Sequence, residues 1–252
     1  MKFINLIALF MLTTLYTSFC FSQVNIESKR TDLKNNSKLI SELGLDLRKG
    51  AVKELEIKYA LRFDYKFNSK HKLINLFEYS YGEANDEKFK NEMFFHSRLT
   101  SMIWNKEKLG FELFVQTQKN EFYNINLRQL LGTGLRYKLF HINIFDGYIG
   151  LGLMKEYENL QNEKNNNDIR STNYLTFILE KNKKYKILNT TYYQPLINNY
   201  RDYRINSEFA IIFEFSKNIG LKNSVVYLYD SNPPEDIEKS NISTNVNFVA
   251  KF

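Results

Sequence analysis

Cysteine occurs once in 252 residues, at Cys20. If the leader carrying it is removed, the remaining chain has no disulfide and no thiol chemistry. Histidine occurs only at His71, His96 and His141. With no cysteine beside them, these scattered rings do not make a transition-metal site, and no metal or other cofactor is expected. No serine motif accompanies a histidine, which disfavours Ser–His hydrolysis. After the first 22 residues no apolar run approaches the ~18 residues that a spanning helix needs. The 35 basic and 28 acidic residues give a net charge of +7. They are spread too evenly for a nucleic-acid footprint, so no nucleic-acid partner is expected.

The amino end is patterned for export. Lys2 supplies positive charge, residues 3–16 are nearly all apolar, and small residues follow at Thr17, Ser18 and Ser22. Cleavage is expected after Ser22. Phe19 stands where lipid attachment to Cys20 would need a small residue, so Cys20 is expected to leave with the signal. Residues 23–36 read as a polar periplasmic lead-in, and 37–252 as one domain.

Aromatics are abundant, with 21 Phe and 17 Tyr against one Trp, 3 Pro and 10 Gly. Mean hydropathy is nevertheless only −0.43. A wall that is apolar on one side and charged on the other has this composition. The order of residues agrees. Leu55, Ile57, Tyr59, Leu61, Phe63, Tyr65 and Phe67 alternate with Glu54, Glu56, Lys58, Ala60, Arg62, Asp64 and Lys66. A helix would scatter those charges around its circumference, whereas a strand puts them on one side. Similar alternation predicts about twelve strands: near 38–48, 54–67, 72–81, 90–104, 109–118, 126–140, 143–157, 170–180, 185–194, 202–215, 221–230 and 241–252. Such strands reach the ~9–11 residues needed to cross a bilayer. The expected fold is all-β, a single antiparallel transmembrane barrel.

The connections are expected to alternate. Short periplasmic turns are read at 68–70, 105–108, 140–142, 181–184 and 216–218. Longer extracellular loops are read at 82–89, 119–125, 158–169, 195–201 and 231–240. A soluble barrel with its apolar face inward has the same period, but the export signal and the many charges on the polar faces oppose it. The stretch 241–252 turns Ile242, Thr244, Val246, Phe248, Ala250 and Phe252 to one side. It resembles the closing strand of outer-membrane barrels, where a final aromatic is part of the signal read by the assembly machinery. Phe248 and Phe252 are the residues expected to carry that signal.

Glu78–Asn91, Phe114–Leu135, Gly150–Glu158, Tyr193–Pro195 and Tyr229–Pro234 together resemble the family of salt-induced outer-membrane proteins, domain of unknown function 481. The segment from Arg128 to Arg136, with Gly132 and Gly134, is the most specific part. The resemblance implies a barrel, an outer-membrane address and a link to envelope or salt stress. It carries no established activity and no catalytic residues.

The expected functional residues are therefore those of the inner face. The acids are Glu54, Glu56, Asp64, Glu92, Glu112, Asp146, Glu156, Glu208 and Glu214. The bases are Lys58, Arg62, Arg98, Arg128, Arg136, Lys138 and Arg204. Near balance suits an ion-pair network filling a narrow lumen, or a charged constriction that selects small solutes. The inner glycines Gly132, Gly134, Gly150 and Gly152 could relieve curvature or make room for Arg128 and Arg136. The leading expectation is a monomeric structural or narrow-pore barrel in contact with outer-membrane lipid and, during biogenesis, the barrel-assembly machinery. The alternatives are a lipid-modifying or lipid-hydrolysing enzyme using His96, and a surface adhesin working through 158–169. Deleting Phe252 should reduce the folded, membrane-inserted fraction severalfold, measured by cell fractionation and heat-modifiable gel mobility.

Overall fold

The computed structural model describes residues 36–49, 53–85, 87–103, 108–161, 165–181, 184–234 and 237–252. The expected signal and nearly all of the lead-in lie outside these residues. Twelve strands follow in order: β1 (Ser37–Lys49), β2 (Lys53–Lys66), β3 (His71–Ala84), β4 (Glu87–Met102), β5 (Leu109–Asn120), β6 (Ile125–Ile142), β7 (Phe145–Leu160), β8 (Asn166–Lys181), β9 (Tyr185–Leu196), β10 (Asn199–Glu214), β11 (Ile219–Asp230) and β12 (Ser240–Lys251). Each pairs antiparallel with its sequence neighbours, and β12 returns to β1, so the sheet is a closed barrel. The seam runs through Ile40↔Lys251, Ser41↔Ala250, Glu42↔Val249 and Leu43↔Phe248. Leu39 and Phe252 extend it by exchanging backbone bonds at 3.2 and 2.9 Å. Both ends of the sheet lie at this terminal end of the barrel, opposite the far end.

The two faces separate as the period requires. Outward side chains such as Leu43, Phe63, Leu113, Leu131, Leu151, Val225 and Phe248 are exposed. Together they form a continuous apolar band, which water does not tolerate at this size and lipid does. Aromatics border the band at both ends. At the terminal end, Phe140, Phe145 and Phe177 cluster, with Phe145 lying 5.2 Å from Phe140 and 5.9 Å from Phe177, and Tyr65 meets Phe67 at 4.9 Å. At the far end Tyr203 stacks between Tyr193 and Tyr229 at 5.6 and 5.5 Å. Such girdles match side chains with one apolar and one polar end to an interface.

The expected difference in loop length is not found. Among the described elements, the far-end connections 85–86, 121–124, 161–165 and 197–198 are as short as the terminal-end ones, and only 231–239 is long. The charged segments expected to be loops continue the ladder. Glu158, an inward member of one of them, is buried in the lumen. Polarity on both faces is what a strand shows when it rises above the apolar band, and periodicity alone cannot separate that from a loop. The expected adhesin loop 158–169 is correspondingly mostly strand. The turn placed at 140–142 falls instead at Asn143–Ile144. A bulge between Lys138 and Phe140 carries β6 on to Ile142, and Asn143 takes the left-handed conformation, φ 54°. Asparagine tolerates that region well.

The inner glycines serve rings rather than arginines. A Cβ at Gly132 would meet Phe114 at 2.2 Å, and one at Gly150 would meet Tyr174 at 2.0 Å. Phe114 of β5 and Tyr174 of β8 therefore lie flat against β6 and β7. Gly134 and Gly152 are register partners whose added Cβ atoms would strike the facing strand's backbone. With Leu130 and Met154 packed on Phe114, this fills one side of the lumen with apolar atoms. Gly150→Ala should destabilise the barrel by about 1–3 kcal/mol through overpacking. Urea unfolding from lipid vesicles checks it, and the loss should shrink when Tyr174→Ala is added to the same chain.

Candidate functional site

Every inner-face residue named from the sequence, Glu54 apart, has a described side chain, and all of these turn away from the apolar band. Glu54 lies in β2 with its side chain outside the described set. The charges form separate clusters rather than one ring. The largest lies toward the far end. Glu156 is fully buried and receives guanidinium groups from three strands. Arg128 of β6 pairs with it closely. Arg170 Nε of β8 donates to its Oε2 at 2.7 Å, and Arg204 Nη1 of β10 donates to its Oε1 at 2.7 Å. Glu158 takes second contacts from Arg128 at 3.2 Å and Arg204 at 3.1 Å. Asp202 accepts from Arg170 at 2.8 Å, and Asp230 of β11 accepts from Arg204 at 2.7 Å. Three cations thus meet four carboxylates, with bonds running across the lumen between β7 and β10. Arginine suits this role because its planar fork serves two carboxylates at once.

An apolar layer lies against this latch. Tyr123, Ile125, Leu160, Val226 and Leu228 form a buried cluster, and Ile237 of the long 231–239 connection packs against it. In the terminal-end half of their strands, inward-facing Ile40, Ile74, Leu188, Ala210 and Val249 are each at most 6% exposed. Inward side chains lining a water-filled channel would be accessible, so at these levels side chains fill the lumen.

The remaining groups are local. Lys90 Nζ lies 2.8 Å from Glu56 and 3.8 Å from Glu92, and Lys58 lies 3.2 Å from Glu56. Arg62 holds Asp64 at 2.6 Å, with Lys72 at 3.4 Å. Arg98 reaches Glu112 at 3.4 Å, and Tyr174 Oη donates to the same carboxylate at 3.0 Å from the far side of β6 and β7. Arg136 stacks on Tyr148 at 3.7 Å, and Lys138 pairs with Asp146 at 3.0 Å. Lys222 joins Glu208 at 3.1 Å, and Lys251 pairs with Glu214. Sequence reading missed Lys72, Lys90, Glu158, Arg170, Asp230, Lys222 and Lys251 as partners. Lys90 and Glu158 continue the two-residue period of a charged face, whereas the others share theirs with apolar or neutral residues, which hid them. Phe248 and Phe252 point outward and are exposed.

Between the two filled levels, on the side formed by β1–β4 and β10–β12, lies a small open chamber. Glu42, Lys58, Glu78, Ser80, Glu92, Glu208, Lys222, Ser224 and Asn245 are in its wall. Lys58 Nζ donates to Asn245 Oδ1 at 2.9 Å, passing over β1 at Gly44.

Among the described residues and contacts, no histidine forms a catalytic arrangement of three groups. His96 is buried between the rings of Phe94 and Phe114, with centroids 6.2 and 5.5 Å away, and its Nδ1 lies 3.1 Å from Gln116. This environment packs an imidazole. His71 Nδ1 lies 2.9 Å from Ser101 Oγ on the outer face, a cross-strand pair with no carboxylate among the described partners of the ring. His141 Nδ1 lies 2.7 Å from Asp146 on the exposed terminal end.

The architecture is that of known outer-membrane barrels. A channel of the outer membrane from Pseudomonas putida F1 superposes with TM-score 0.53 at 11% identity, covering 88% of this chain and 100% of its own. The NanC porin superposes with TM-score 0.50 at 10% identity, covering 85% and 98%. At such identities the likeness is one of fold. No curated protein matches the chain. A family model described as "Protein of unknown function, DUF481" matches residues 41–252.

Removing one partner from a buried ion pair is far more damaging than replacing the pair as a whole. Glu156→Gln should therefore destabilise the barrel by roughly 3–5 kcal/mol, read as a lowered urea midpoint for unfolding from vesicles.

Proposed function

The chain belongs to the DUF481 family, and from that premise we propose a monomeric outer-membrane barrel that offers a narrow path to small solutes and ions. Its far mouth is held shut by side chains. The observation that carries this reading is the convergence of Arg128, Arg170 and Arg204 on Glu156 across the lumen. An open porin keeps a polar, water-filled interior. Here Glu156, Asp64, Thr176, Thr190 and Asn206 are inaccessible to water, so passage requires side chains to part. Narrow charged constrictions select by size and charge together. The outward apolar band and its aromatic borders support lipid as the permanent partner, and the closing strand with Phe248 and Phe252 supports the assembly machinery as a transient one.

Planar bilayers test the reading. Purified protein should give small, brief conductance steps in potassium chloride. Arg204→Ala combined with Glu156→Ala removes both sides of the latch and should raise single-channel conductance severalfold. If neither wild type nor the double variant conducts at any salt concentration, the barrel is structural and the pore reading fails.

A further inference from the structure

On β1, β2 and β3 the terminal mouth of the barrel carries more positive charge than its own carboxylates match. We propose that this inner rim is a binding site for a soluble polyvalent oxyanion, an oligophosphate in its chemistry.

Register brings the site together. Lys38 of β1 stands opposite Asp64 of β2, and Lys66 of β2 stands opposite Lys72 of β3. Lys38, Lys66 and Lys72 each lie two residues mouthward of a buried inward side chain, respectively Ile40, Asp64 and Ile74. The period of two therefore puts all three on the luminal face. Asp64 is the one acid among them, and Arg62 already holds both its oxygens at 2.6 Å. Lys72 lies 3.4 Å from the same carboxylate. Among the described residues neither Lys38 nor Lys66 forms an ion pair. The neighbouring Lys251 is paired with Glu214 and adds no net charge. With Arg62 set against Asp64, three lysines remain in excess. Like charges directly opposite in a sheet repel, as Lys66 and Lys72 do, and an anion between them reverses the sign of that interaction. Neighbouring strands are ~4.8 Å apart, so the three lysines spread over roughly 10 Å. A monovalent anion cannot reach all of them, whereas a chain of phosphates can. An ammonium group with three rotatable donors follows phosphate oxygens without a fixed geometry. Ile40 and Ile74 fill the lumen beneath, so the anion is held at the mouth. A phosphate headgroup has the same chemistry, but the ring faces the lumen and a headgroup lies outside the wall.

Occupancy of the rim needs no passage through the lumen, so it is measured without conductance. Full-length barrel in zwitterionic detergent micelles is titrated calorimetrically with tripolyphosphate, and with gluconate as a monovalent comparison. Tripolyphosphate should bind at least about tenfold more tightly. Lys38→Gln combined with Lys66→Gln should weaken its binding about tenfold or more. Lys181→Gln combined with Lys217→Gln removes the same charge from the same end of the barrel, outside the site, and should change binding by less than about twofold. Heat-modifiable mobility establishes that each variant is folded. Lysine acetylation of the wild type, read by mass spectrometry, locates the anion without any variant. Tripolyphosphate should protect Lys38, Lys66 and Lys72 and leave Lys181 and Lys217 reactive, and this result decides if the first variant does not fold. Adding phosphatidylethanolamine to the micelles should leave tripolyphosphate binding unchanged. Competition by that lipid would transfer the rim to a headgroup and overturn the soluble anion. Absence of binding by the wild type, gluconate bound as tightly, equal losses in the two folded variants, or protection spread over all five lysines would overturn the site.

Discussion

Closure of the sheet at the β1–β12 seam is the constraint on which everything else depends. Lipid offers backbone amides no hydrogen bonds, so a strand edge inside it is not tolerated. Few register pairs complete the ring, from Leu43↔Phe248 down to Ile40↔Lys251, with Leu39 and Phe252 continuing it. Side chains cross the same seam on the inner face. Lys58 reaches Asn245 over β1, and Asn247 Nδ2 donates to Glu42 at 3.5 Å. Gly44 lies beneath this crossing, where a Cβ would come 2.9 Å from Asn247 Oδ1.

Once the ring is closed, the inner charges are removed from water and must satisfy one another. Their pairing is uneven around the barrel. From β5 to β9 the lumen is occupied by Phe114, Leu130, Met154, Tyr174 and Tyr192, with glycines admitting the rings. On the opposite side the charged wall stands back and leaves the chamber. The latch spans the two, since Arg204 of β10 reaches Glu156 and Glu158 of β7. The lumen is therefore filled on one side and hollow on the other, not a uniform channel.

Much of the fold was legible in order of residues alone. The alternation in 54–67 and 202–215 assigned faces correctly because lipid and lumen impose opposite polarity on consecutive residues. The inner face was less legible where it is apolar. Ile74, Leu76, Leu188 and Ala210 face inward and are buried, yet an apolar residue in a strand carries no mark of which interior it fills. The far-end strand tips were misread as loops for the converse reason: with polar residues on both faces, the two-residue contrast vanishes. The glycines were visible, but the rings they accommodate come from neighbouring strands, Phe114 from β5 and Tyr174 from β8.

The sequence by itself determined the strand count, the side of the wall that the charged residues of the clearly alternating strands face and the charge of the interior, because those follow from a local period of two. Only the tertiary structure decided which charges meet, where the lumen is filled and where it is hollow. Glu156 and Arg204 are 48 residues apart and become partners because the ring brings β7 and β10 together across its interior. That distance depends on curvature and register summed over many strands, which no local pattern encodes.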